Sequence, residues 1–139
     1  MTRIDFYHYA PEKLRFACRL VATAIERSSR VVVYSPDRAQ LAELDRLLWT
    51  FQSIRFVPHC MADAPLAAET PVILADAGEA LPHHDVLLNL GDEWPPFFAS
   101  FERLLEIVAT EEEDKLRARA RYAFYRKRGY DIQVNAIEG

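Results

Sequence analysis

Three observations predict an α/β protein with a mostly parallel central sheet. Short apolar runs such as Val31-Val32-Val33 and Pro71-Val72-Ile73-Leu74-Ala75 read as strands covered on both faces. Between several of them lie stretches whose apolar residues recur every three or four positions, the period of a helix packed on one side. Strands and helical stretches alternate along the chain, the order that builds βαβ units. With 139 residues, one three-layer domain covering 1–139 is expected. A domain of that size buries roughly two-thirds of its unfolded surface, so no disulfide or metal is needed for a core.

The elements follow in order. Residues 4–9 alternate apolar and polar and form a strand, ended by Ala10-Pro11. Pro11 suits a first helical turn, and Leu14, Cys18, Val21 and Ile25 mark a helix to about Arg27. Residues 30–34 make the next strand. Ser35-Pro36-Asp37 then supplies capping chemistry for a helix carrying Leu41, Leu44, Leu47 and Leu48. Phe56-Val57-Pro58-His59 reads as a short edge strand, because its proline would interrupt a central ladder. Strands over 71–75 and 85–90 follow. Trp94-Pro95-Pro96 leads to an expected helix bearing Phe98, Phe101, Leu104, Leu105 and Val108. The last helix runs from about Glu111 to Arg128, with Gly129 at its C′ position.

Two cysteines far apart, Cys18 and Cys60, read as reduced structural thiols. The first residues lack a secretory pattern, and no apolar stretch reaches the roughly 20 residues of a membrane span. A cytoplasmic protein without membrane contact is the expectation.

The fold class invites a nucleotide site, but the first strand runs into Ala10-Pro11-Glu12-Lys13, with no glycine to let backbone approach a pyrophosphate. A G-x-x-x-x-G-K-[ST] loop is absent as well. His59-Cys60 and His83-His84 are adjacent pairs, and sequence neighbours rarely converge on one metal. Cys60 has no third group to orient His59 as its base. The residues predict no catalytic constellation, metal or cofactor.

Charge is informative by its distribution. The net charge is −4, yet residues 115–130 hold seven lysines and arginines and no acid. On a helix, Lys115, Arg119, Tyr122 and Arg126 share one stripe. Leu116, Ala120, Ala123 and Phe124 form a neighbouring stripe expected to pack on the domain, while Arg117, Arg121 and Arg128 are expected to face solvent. Cations beside a tyrosine at the border of an apolar face suit capture of a peptide ending in a hydrophobic residue. A guanidinium takes the carboxylate, and the ring borders a pocket. A plain solvated face stays open as an alternative on the helix alone, although such faces usually mix signs at i,i+4. Direct binding of single-stranded nucleic acid is an alternative, as phosphates attract the same stripe. A small α/β enzyme is a further one.

Several segments, taken together in order and spacing, resemble a known family. These are Leu44-Asp45-Arg46-Leu47-Leu48-Trp49 followed by Phe56-Val57-Pro58-His59, then Pro71-Val72-Ile73-Leu74. Lys115-Leu116, Arg119-Ala120-Arg121-Tyr122, Tyr125-Arg126, Gly129-Tyr130 and Asn135-Ala136 complete the set. Over nearly its whole length the chain resembles the chi subunit of bacterial DNA polymerase III. The resemblance implies a Rossmann-like domain without a nucleotide-binding loop and a non-catalytic role in replication. It implies two partners: the psi subunit of the clamp-loader complex, and the acidic carboxy-terminal tail of single-stranded DNA-binding protein, which ends in proline and phenylalanine. DNA would be reached mainly through these partners. By position, Trp49 and Phe56 would face psi, with a plain core role as the alternative for both. Val108, Lys115, Arg119 and Tyr122 would form the tail site, with Arg119 on the terminal carboxylate and Val108 and Tyr122 bordering the phenylalanine. The family pattern has a basic residue where this chain has Ala123, a departure that Arg126 is placed to offset.

Overall fold

The computed structural model describes residues 1–50 and 58–136. The chain order is β1 (Arg3–Ala10), α1 (Lys13–Glu26), β2 (Val31–Tyr34), α2 (Arg38–Thr50), β3 (His59–Met61), β4 (Val72–Ala75), β5 (Val86–Asn89), β6 (Arg103–Ala109), α3 (Glu112–Lys127) and β7 (Ile132–Ala136). The strands form one sheet in the order β3-β4-β2-β5-β6-β1-β7, and every pairing among the described residues is parallel.

Three layers result from alternation along the strands. Val31 and Val33 point to one face and pack with Cys18 and Val21 of α1 and Leu41, Leu44 and Leu48 of α2. Val32, Ile73, Leu87 and Leu104 point to the other, against Ala118 and Tyr125 of α3 and against Phe98 and Phe101. Both faces being covered explains the continuous apolar runs. Burial pushes the Cys18 thiol up to about 11, so it stays protonated within this core.

Local signals set the helix ends. Asp37 Oδ1 accepts the amides of Ala39 (3.0 Å) and Gln40 (3.4 Å), capping α2 as the turn chemistry predicts. At the end of α3, Gly129 adopts φ +84°; its amide bonds Arg126 O at 2.9 Å and that of Tyr130 bonds Tyr125 O at 3.3 Å. This is the paired Schellman closure that favours glycine. No helix among the described residues is long and apolar enough to cross a membrane.

One expectation needs correction. The helix expected to carry Phe98, Phe101, Leu104, Leu105 and Val108 does not form: Phe98–Ser100 is one 3₁₀ turn, and Arg103–Ala109 is a strand near the sheet centre. Leu104 and Val108 serve one layer, Leu105 and Ile107 the other. β7 was not anticipated; its alternating polar residues suit a sheet edge, where it lies beside β1. The expected edge strand around Pro58 begins at His59, and its residues 56 and 57 lie outside the described residues.

Candidate protein-docking site

α3 lies on the sheet through Asp114, Ala118, Arg121 and Tyr125, all buried. This corrects the packing face expected from composition. Leu116 is 59% exposed, Ala120 and Ala123 are exposed, and Arg121 is only 1% exposed. The physical cause is Glu106, which stands in the middle of apolar β6 and is completely buried. Arg121 Nε donates to Glu106 Oε1 at 3.0 Å, Asn89 Nδ2 donates to both Glu106 oxygens, and the Tyr125 hydroxyl donates to Oε2 at 2.5 Å. Arg121 Nη1 also donates to the Asp92 carbonyl at 2.8 Å. A buried carboxylate and guanidinium are tolerable only when paired and hydrogen-bonded in this way. Burial raises the Glu106 pKa against the pull of Arg121, Tyr125 and Asn89; burial and then the Glu106 charge push Tyr125 far up.

The amino end of α3 is tied down separately. Asp114 Oδ2 accepts the Ala109 amide at 2.7 Å, and Lys13 Nζ lies 3.2 Å from Oδ1. Burial alone would raise the Asp114 pKa; the Ala109 amide and Lys13 overcome it and hold the carboxyl below its usual value.

With the buried row at 114, 118, 121 and 125, the stripe Lys115, Arg119, Tyr122 and Arg126 falls one residue on, at the flank of the contact. There a pocket of about 360 Å³ opens between α3 and the sheet. Phe6 and His8 of β1, Val108 of β6 and Val134 of β7 line its sheet side; Lys115, Ala118, Arg119 and Tyr122 line the helix side. The parallel register sets Phe6 beside Val134 and His8 beside Val108. The Tyr122 ring meets Phe6 edge-on at 5.6 Å between centroids. Its hydroxyl accepts from Arg126 Nη1 at 3.4 Å, so Arg126 joins the rim rather than the lining. Lys115 lies 3.6 Å from Glu112, while exposed Arg119 has no ion pair among the described residues.

All four residues expected at the tail site therefore line one pocket, with Arg126 at its edge. Sequence reasoning missed Phe6, His8, Ala118 and Val134, which only strand pairing and helix packing bring there. It also missed the Glu106 network, for which a signal existed: a lone carboxylate inside Leu104-Leu105-Glu106-Ile107-Val108 demands a buried partner.

Elsewhere, Trp49 near the end of α2 is 56% exposed, and its ring lies 4.8 Å from that of His59 on edge strand β3. His59 Nε2 is 3.1 Å from Asp45. Phe56, expected to share this surface, lies outside the described residues. No group of three or more histidine, cysteine or carboxylate side chains able to hold a metal occurs among the described residues.

The family model described as DNA polymerase III chi subunit, HolC, matches residues 1–133. The chain belongs to the DNA polymerase III chi subunit family. It is 38% identical over 141 residues to DNA polymerase III subunit chi of Pseudomonas aeruginosa, covering 99% of this chain and 98% of that one. The chi subunit of Haemophilus influenzae is 30% identical over 122 residues, covering 87% and 85% of the two chains. That of Escherichia coli is 28% identical over 121 residues, covering 86% and 82%. Membership in this family supports an accessory role in DNA replication, within a replication complex.

Proposed function

We propose that this chi-family chain is a non-catalytic adaptor that captures the acidic carboxy-terminal tail of single-stranded DNA-binding protein and joins it to the clamp loader through psi. The observation that carries the reading is the composition of the pocket beside α3. Phe6, Val108 and Tyr122 give it apolar walls, Lys115 and Arg119 give it positive charge, and no carboxylate lines it among the described residues. A peptide ending in a hydrophobic residue would bury that side chain against Val108 and Tyr122, while Arg119 takes the terminal carboxylate and Lys115 attracts upstream acids. Arg126 steadies the Tyr122 hydroxyl and adds charge at the rim. Trp49, half-exposed beside an edge strand, is the candidate contact for psi, together with Phe56.

Titration of an acidic peptide ending in Pro-Phe tests the reading. Arg119→Ala should weaken binding by about 10- to 100-fold, the effect of losing a charge-assisted pair. Unchanged affinity would remove Arg119 from the site, and no binding by the unaltered protein would end the adaptor reading.

A second reading has one observation in its favour. Trp94 stacks on Phe124 at 3.7 Å between centroids and 11° between planes, and the Arg128 guanidinium lies 3.7 Å from the Phe124 centroid. Aromatic and guanidinium surfaces of this kind also receive unpaired bases. Tight binding of single-stranded DNA by the isolated protein at physiological salt would favour this alternative.

A further inference from the structure

β7 stands at the edge of the sheet without the protections that edge strands commonly carry. Among the described residues it pairs with β1 alone. Such strands are usually blunted by lysine, proline, a bulge or very short length. Ile132-Gln133-Val134-Asn135-Ala136 has none of these: it carries no charge, its register with β1 is unbroken over five residues, and Val134 is 56% exposed. The opposite edge, β3, is only three residues long.

The register decides which backbone groups of β7 are open. The Ile4 amide donates to Asp131 O at 3.1 Å, so the alternation of a parallel ladder turns the odd-numbered residues of β7 toward β1. The amides and carbonyls of Ile132, Val134 and Ala136 then face outward, and none of them has a hydrogen-bond partner among the described residues. Val134 belongs both to this open edge and to the lining of the pocket that holds Lys115 and Arg119. A peptide whose terminal side chain fills the pocket therefore has its upstream residues beside the edge, with the two cations close by. We propose that the segment upstream of the captured terminus adds to β7 as an outer strand, through the outward amides and carbonyls of Val134 and its neighbours. The inference rests on the tail-capture reading and goes beyond it: the pocket and its cations recognise the end of the peptide, whereas β7 recognises its backbone. A proline next to the terminal phenylalanine has no N–H to donate, so the pairing belongs to the residues before it. Pairing of this kind ignores side-chain identity and leaves the upstream sequence free to vary as long as it stays extended.

The test titrates the intact protein with the acidic peptide ending in Pro-Phe and with a series in which one upstream amide at a time is replaced by an ester. An ester removes the N–H donor and keeps every side chain and charge. Every second replacement should weaken binding about three- to tenfold, the effect of one lost backbone hydrogen bond, because alternate residues of an added strand face its neighbour. The bound peptide should also slow hydrogen exchange at the Val134 and Ala136 amides. On the protein side, Ala136→Pro removes an outward N–H that β1 does not use, a place where an edge strand tolerates proline. It should weaken the parent peptide to a similar extent, and a melting curve checks that the variant is folded. Ester peptides that all bind as tightly as the parent, losses equal at every position, or unchanged exchange at Val134 and Ala136 would each overturn the proposal. So would protection of those amides that rises with protein concentration in the absence of peptide, which would assign the edge to a second copy of this chain. Failure of the parent peptide to bind would overturn the tail-capture reading itself, so the two failures are distinct.

Discussion

Arg121 of α3 and Glu106 of β6 face one another across the helix–sheet contact with Nε and Oε1 3.0 Å apart, and both are sealed from water. Their pairing places the helix in one rotational setting, with Arg119 and Tyr122 turned toward the pocket. Replacing Arg121 with Ala leaves an unpaired buried carboxylate and should cost about 3–5 kcal/mol of unfolding free energy. The double replacement Arg121→Met with Glu106→Leu should recover part of that loss, the remainder reflecting the buried Tyr125 hydroxyl left without its acceptor. Denaturant midpoints of the two variants check this, and a double variant as unstable as the single one would refute it.

Ala123 is exposed and follows Tyr122 directly on α3. Replacing it with Lys adds a cation near the pocket rim without disturbing the buried row. Affinity for an acidic tail peptide should rise about two- to fivefold at low salt, as for an exposed charge pair. The gain should fade as ionic strength approaches about 1 M, where the screening length is only about 3 Å. Binding curves at several salt concentrations check it; a gain that is independent of salt would point to a cause other than charge.

The exposed Trp49 ring gives a separate prediction. If it contacts psi, Trp49→Ala should prevent co-purification with psi while leaving the affinity for the tail peptide unchanged, since the pocket is lined by other elements. Loss of both interactions together with a lowered melting temperature would instead assign Trp49 a role in packing.

His83 is 3% exposed near the start of β5. Burial lowers its pKa below the ordinary 6.5, against weaker upward pulls from the Thr70 backbone and Asp85, while Arg30 and His84 push it further down. The unfolded chain therefore binds this proton more readily than the folded one. Stability should be unaffected by His83 well above pH 6.5 and should decline as pH falls from there toward the folded-state value. His83→Gln should flatten that part of the stability profile, which denaturation at pH 7.5, 6.5 and 5.5 measures. An unchanged slope would exclude His83 as its source.

The alternation of strand and helix was legible because burial on both faces leaves unbroken apolar runs at β2, β4 and β5, and because Asp37 and Gly129 carry local capping chemistry. The stripe Lys115, Arg119, Tyr122 and Arg126 was legible for a similar reason: helical phase is a property of neighbouring residues. β6 was misread because residues 104–108 are apolar on both of its faces except at Glu106, a pattern that does not by itself separate a buried strand from a buried helix. α3 was assigned the wrong inner face because hydrophobicity favours burying Leu116 over Arg121. The fold reverses that order, since Glu106, 15 residues earlier, supplies the charge partner that makes an arginine acceptable in the core. The sequence alone thus determined the α/β class and the cationic stripe. Only the tertiary structure decided that the stripe lies at the flank of a pocket, because Phe6, Val108 and Val134 meet through long-range parallel strand pairing, which no local pattern encodes.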